Sequence, residues 1–464
     1  MDHARTARRA VTCCSYWGAE AALDLRGAGA SEGIYFLPEG VFVRGYLSSK
    51  IARACPGAAV LVTAIALLLL GPGAREAGAA SSSYVDFGRY DTYEALSAGE
   101  QHSVTVGRLS GSAGEVRLVS APYTASDGSG FYNGGNYYWG WMTSPVYGSS
   151  TPFDTLVPSW EALTPAGTWT ELEVRVRSEG SWTPWFNMGV WASEAGSIRR
   201  HSVNGQESGP WGVLTDTLKS KGPSFADAYQ YRLTLFREQG GVSPLVRGVS
   251  VTVSDSQRHG ENAGVADTGS WGRELEVPAR SQMVYQDGGE LWCSPTSLSM
   301  VMAYWAGKIG NPNLNQPVPA VAAGTYDYVY QGWGNWPFNT AYASAYGLES
   351  AVSRFSSIEQ VERWIEMGVP VIASIGWDNR YGERRLSGAP LTLSDGHLLV
   401  IRGFDSSGNV VVSDPAGSDD SQVRRVYRRD EFARAWFSGS GGVVYLVYPR
   451  GWSTPDRTYA QGSW

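Results

Sequence analysis

The sequence predicts a multidomain chain, with an all-β, sandwich-like N-terminal domain followed by an α+β domain. Three observations carry this. Runs such as TWTELEVRVRSEG, WTPWFNMGVWAS and AYQYRLTLFRE alternate apolar and polar residues between Gly, Ser and Pro, with no long helical pattern. Several such strands at short spacing are the pattern of a β-sandwich. The stretch Ser254–Glu276 (SDSQRHGENAGVADTGSWGRELE) is poor in apolar residues and rich in Gly, Asp and Ser, so it reads as a linker. Beyond it, helical and strand patterns mix. These changes of texture divide the chain into a leader at 1–79, a β-domain at 80–253, a linker at 254–276 and an α+β domain at 277–464.

The leader has the order of an export signal. Arg44, Lys50 and Arg53 precede the apolar segment Ala58–Leu70, which is followed by Gly71-Pro72-Gly73 and the small residues Ala77-Gly78-Ala79. A basic, then apolar, then small-residue order marks a secretory signal peptide. The apolar segment is shorter than the roughly 20 residues a membrane-spanning helix needs, so no permanent span is expected. Cleavage after Ala79 and a secreted, extracellular protein are the expectation. Residues 1–40 lack this pattern, which suggests a true start near Val41 or Val43.

A net charge of −7 argues against nucleic acid as a partner, because phosphate binding needs a clustered basic surface. The 19 tryptophans and 25 tyrosines are the compositional anomaly. Eight of the indoles (Trp139, Trp141, Trp160, Trp169, Trp182, Trp185, Trp191 and Trp211) fall in the β-domain, more than one sandwich core ordinarily holds. Core positions account for most. Any that are exposed are flat platforms for sugar rings or a partner surface, so a cell-wall or carbohydrate surface is a candidate partner of this domain.

In the second domain Leu298, Val301, Met302 and Trp305 follow helical spacing, with Pro295 suited to the first turn and Gly307 to the end. Ser356 and Glu359 have capping-box spacing ahead of Ile358, Val361 and Ile365, and Gly368 closes that helix. The strands VPVIASIGW, HLLVIRGF, NVVVSDP and VVYLVYP follow, the middle two joined at the turn DSSG. A leading helix and a mostly antiparallel sheet make this domain α+β.

Cys293 stands in WCSPTSLSMVMAYWAG, just ahead of the first helical stripe. Cys13, Cys14 and Cys55 all belong to the leader, so the cleaved chain keeps one thiol and no disulfide. From Val277 onward His397 is the one histidine. One thiol and one imidazole are the smallest set thiol catalysis requires. A helix N-terminus stabilises a thiolate, and its amides can hold an oxyanion. A hairpin turning near Ser406–Gly408 brings His397 and Asp414 to the same sheet edge, where a carboxylate would orient the imidazole. Each residue alone has a plainer reading: a small buried hydrophobe, a polar strand end, a turn residue before Pro415. Their joint occurrence favours catalysis. With one Cys and one His the domain lacks the ligands of a structural zinc site, and it has no C-x-x-C for redox work, so no cofactor or metal is expected.

The ordered segments VPARSQMVYQDGGELWCSPTSLSMVMAYWAG and GHLLVIRGFDSSGNVVVSDPA resemble the peptidase C39-like family, papain-like cysteine peptidases, over about Val277 to Pro449. The resemblance implies Cys293 as nucleophile, His397 as general base, Asp414 as its orienting acid and Gln282 as oxyanion-hole donor, with Gln286 as competitor for that last role. The family usually has Gly after the cysteine, where Ser294 stands here; a serine there can cap the helix. No G-x-x-x-x-G-K-[ST] motif accompanies it, so the stand-alone secreted branch is implied rather than the branch fused to an export ATPase. The expected function is hydrolysis of peptide bonds in a peptide or protein substrate through an acyl-enzyme. The alternatives are a cell-wall peptide amidase or acyltransferase using the same triad, and a catalytically inactive surface-binding protein.

Overall fold

The structure is a computed structural model that describes residues 84–258, 260 and 268–456. The leader, with its signal-like segment, and most of the linker centre lie outside the described residues.

The N-terminal half is built from two eight-stranded sheets in which all strand pairs are antiparallel. Its longest strand, Ala226–Glu238, pairs with Thr168–Ser178, Asn136–Thr143 and Tyr147–Phe153 in one sheet. In the other, Leu245–Ser254 lies beside Thr155–Leu163. The alternation seen in the sequence has its physical counterpart in Thr168–Ser178: Leu172, Val174 and Val176 are buried, while Arg175 and Arg177 point to the opposite face. On that face Arg232 pairs with Glu173 directly across the ladder. Both sheets feed a single hydrophobic cluster, with Trp160 and Val251 from one and Leu172 and Leu233 from the other.

The indoles divide evenly. Trp160, Trp169, Trp191 and Trp211 are buried, whereas Trp139, Trp141, Trp182 and Trp185 are half-buried. The half-buried rings have neighbours of their own. Trp141 stacks on His102 with centroids 4.0 Å apart, and Arg175 lies 4.9 Å from Trp182 and 4.6 Å from Trp185.

Among its described residues the C-terminal half has five α-helices, α1 (Cys293–Ile309), α2 (Val318–Thr325), α3 (Trp336–Ala345), α4 (Ile358–Glu366) and α5 (Arg429–Ser440). Its six strands are β1 (Leu348–Arg354), β2 (Val371–Asp378), β3 (Leu393–Phe404), β4 (Val410–Ser413), β5 (Arg424–Tyr427) and β6 (Val443–Pro449). They form one antiparallel sheet in the order β1-β6-β2-β3-β4-β5.

Three local details differ from the sequence reading. Helix α1 runs through Gly307 and ends at Gly310, which adopts φ 67° and donates its N–H to the carbonyl of Ala306. A glycine inside a helix costs only about 1 kcal/mol, whereas the terminating position needs the left-handed conformation. The capping box of α4 sits one residue later than expected, with Ser357 at the cap and Gln360 in place of Glu359; Gln360 Oε1 accepts from the Ser357 amide at 3.1 Å. The end of the stretch read as a linker is docked: the Leu275 amide donates to Arg402 O at 2.7 Å, and Trp271 Nε1 donates to Glu362 Oε1 at 2.8 Å.

The two halves are sewn together by buried polar contacts. The Val352 amide donates to Ser159 Oγ at 3.1 Å, the Ser350 amide to Glu161 Oε1 at 3.2 Å, and Thr252 Oγ1 to Val352 O at 2.8 Å, all along β1. Asp216 Oδ2 accepts the Trp336 amide at the start of α3 at 2.7 Å, where a carboxylate also meets the favourable end of the helix dipole. Asp327, fully buried, accepts from the Ser202 amide at 3.1 Å and from Asn335 Nδ2 at 2.9 Å, which fixes the loop between α2 and α3. Phe338 of α3 packs between Trp160 and Trp191 at centroid distances of 6.2 and 5.4 Å.

Candidate active site

Cys293 is the first residue of α1, as expected, and Trp292 occupies the N-cap without a side-chain cap. Cys293 is fully buried. Ser294 does not cap the helix: its hydroxyl lies 3.0 Å from the Tyr445 hydroxyl, deep against β6. One turn on, Ser297 Oγ donates to the carbonyl of Leu398 at 3.0 Å. That bond anchors the first turn of α1 to the residue next to His397.

His397 lies within β3 rather than opening it, because the strand begins four residues earlier at Leu393. The ladder between β2 and β3 slips just before it: Trp377 pairs with Ser394 but Ile375 pairs with His397, so Asp395-Gly396 form the bulge. Bulges re-aim the side chains beside them. Trp377 then meets the imidazole edge-to-face at 5.4 Å.

Asp414 directly follows β4, and hairpin closure brings it to His397 as the sequence suggested. His397 Nε2 donates to Asp414 Oδ1 at 2.8 Å. The same carboxylate accepts from the Tyr427 hydroxyl at 2.7 Å and from the Ala416 amide at 3.0 Å. Burial alone would raise the Asp414 pKa, but the positive His397 and the three hydrogen bonds together hold it below the ordinary carboxylate value. The opposite holds for Tyr427, where burial and the Asp414 charge push the phenol well above its usual value. With Nε2 given to the carboxylate, acid–base chemistry at this ring falls to Nδ1.

Gln282 is buried and links the two ends of the site. Its backbone amide donates to Pro415 O at 2.9 Å, and its side-chain Nε2 donates to the carbonyls of Gly289 and Glu290 at 3.0 and 2.8 Å. Two carbonyl partners fix which end of the amide is nitrogen. Oε1 is buried without a hydrogen-bond partner. Gln282 thus braces the turn leading into Cys293 in this structure, while Gln286 is exposed. Tyr427 and Trp377 were not singled out in the sequence. The signal for Tyr427 was its place in VRRVYRRD, an inward residue on a strand otherwise lined with arginine.

Among the described residues no cluster of His, Cys, Asp or Glu could hold a metal ion, and no helix is long and apolar enough to cross a membrane.

Residues 86–254 match the model described as the peptidase C39 N-terminal domain, and residues 274–442 match that of the peptidase C39-like family, a span that includes Gln282, Cys293, His397 and Asp414. Residues 274–442 thus belong to the peptidase C39-like family, and residues 86–254 are the N-terminal domain that goes with it. Among solved structures it is similar to one from Bacillus anthracis assigned as a C39-like peptidase, at 17% identity over 37% of this chain and 96% of that one, with a TM-score of 0.26. No curated relative matches the chain.

Proposed function

We propose that this chain is a secreted, papain-like cysteine peptidase carrying a β-sandwich N-terminal domain. The observation that carries the reading is the buried pair of Asp414 with His397, whose strand is tied to the Cys293 helix through Ser297. In the mechanism the Cys293 thiolate attacks the peptide carbonyl, and the tetrahedral oxyanion is held by amides at the start of α1 and by Gln282 once its NH2 turns from the two carbonyls. His397 Nδ1 then protonates the leaving amine, the carbon–nitrogen bond breaks, and water activated by the same ring releases the acyl group. Asp414 keeps the ring in the tautomer with the proton on Nε2 and stabilises the imidazolium. The complete burial of Cys293 favours the second reading, a catalytically inactive surface-binding protein. Labelling with a thiol-directed activity probe at neutral pH separates the two. A peptidase is labelled at Cys293 in the wild-type chain and not in Cys293→Ala, which also loses all turnover; absence of labelling, or turnover surviving in Cys293→Ala, ends the peptidase reading.

A further inference from the structure

A cleft of about 760 Å³ is lined by both halves of the chain. From the C-terminal half come Trp292, the residue preceding Cys293, and Trp333, Tyr326 and Tyr328. Their rings form a continuous row: Trp292 to Trp333 at 5.9 Å, Trp333 to Tyr326 at 5.0 Å and Tyr326 to Tyr328 at 5.0 Å. The row is held in place, because Trp333 Nε1 donates to Ala322 O at 3.0 Å and the buried Asp327 organises the loop that bears Tyr326, Tyr328 and Trp333. From the N-terminal half come the Ser193–Ala195 turn and Arg200.

Arg200 belongs to both halves. Its guanidinium donates to Ala192 O and Ser193 O on one side, at 2.8 and 3.0 Å, and to Ala323 O on the other at 2.9 Å. A second depression of about 520 Å³ shares Tyr328 and continues along the same junction past Phe131 and His201.

We propose that the N-terminal half forms one wall of the substrate cleft, and that the cleft takes a large uncharged apolar side chain of the peptide next to the scissile bond. This rests on the peptidase reading. Indole and phenol faces beside the alanine and glycine of α2 offer apolar contact. Arg200 at the base is a buried cation that opposes a lysine or arginine side chain; the buried Asp327, whose charge acts on it, already accepts from the Ser202, Val329 and Tyr330 amides and from Asn335, and Glu194 of the lining stands exposed at the rim where water and salt screen it.

Peptidyl vinyl sulfones that differ only in one side chain (Phe, Gly or Lys), at either of the two positions next to the electrophile, test this on the full chain. Labelling rates at Cys293 are read by mass spectrometry and normalised to the iodoacetamide rate of the same variant. At one of the two positions Phe should exceed both Gly and Lys by on the order of 10- to 100-fold. Ala195→Trp fills the recess from the N-terminal side and should bring the Phe-to-Gly ratio down to near unity, and Trp333→Ala should lower it from the opposite wall. Labelling without preference for Phe, or a preference that Ala195→Trp leaves intact, overturns the cleft assignment while the peptidase reading stands. A Cys293 that reacts with iodoacetamide but with none of the vinyl sulfones overturns the peptidase reading instead.

Discussion

His397 Nε2 and Asp414 Oδ1 lie 2.8 Å apart with both side chains buried, so the imidazole is oriented by a carboxylate that water does not reach. His397→Ala should lower kcat/KM by roughly 10²–10⁴-fold, the range for loss of a general acid–base. Asp414→Asn should cost less, because the ring is kept and only its tautomer and charge support are disturbed. Steady-state kinetics on a peptide substrate would check the ranking, and equal losses in the two variants would contradict it. A crystal structure should place Cys293 Sγ within about 4 Å of His397 Nδ1.

The depressed pKa of Asp414 has a pH consequence with a definite sign. A carboxyl that titrates lower when folded than when unfolded adds stability above its unfolded pKa, and that stability disappears as pH falls through the folded value. Tyr427→Phe removes one hydrogen bond to the charged oxygen. It should cost about 1.5–3 kcal/mol near neutrality and shift acid unfolding to higher pH. Urea unfolding of both proteins between neutral and acidic pH would show converging stabilities at the acid end, whereas a constant gap would contradict the assignment.

Gln282 has two separable roles. Gln282→Ala should lower kcat by roughly 10²–10³-fold if the amide reaches the oxyanion, and it should also lower stability by about 1–3 kcal/mol because the buried Gly289 carbonyl and the partly buried Glu290 carbonyl lose their donor. Gln286→Ala should change neither. Thermal denaturation alongside kinetics distinguishes the cases: a loss of stability with full kcat would leave Gln282 as a brace alone.

These two residues show how far the sequence could be read. Cys293 at the head of a helix, and His397 with Asp414 on neighbouring strands, followed from periodicity and one hairpin turn, both local signals. The Gln282 contacts to 289–290 and 415, and the Tyr427 bond to Asp414, depend on how loops far apart in the chain are packed, and no local pattern encodes that. The same limit explains the β3 start: the bulge at Asp395-Gly396 lets the strand extend back from His397, where Gly396 looked like a strand boundary. The junction between the halves was invisible as well, because Arg200, Asp216 and Asp327 look like surface charges until their partners are known.

Arg200→Ala should weaken both halves at once. It removes the donor from four carbonyl oxygens at a buried junction, which should cost about 2–4 kcal/mol. Calorimetry should show a single unfolding transition for the wild-type chain and a lower or divided one for the variant. Two separate transitions in the wild type would show that the halves are not coupled.

The expectation of export is tested directly by N-terminal sequencing of protein recovered from culture medium, which should begin near Ala80. An intact leader on a cytoplasmic protein would exclude it.

Strand β1 lies at the margin of the C-terminal sheet, with β6 on one side only. Its outward backbone groups at Ser350 and Val352 are occupied by Glu161, Ser159 and Thr252. An unguarded sheet margin recruits strands from other molecules. The N-terminal half thereby covers this margin of the C-terminal sheet. A C-terminal fragment expressed alone would expose a row of hungry amides, and self-association would be its characteristic failure, whatever the condition of Cys293.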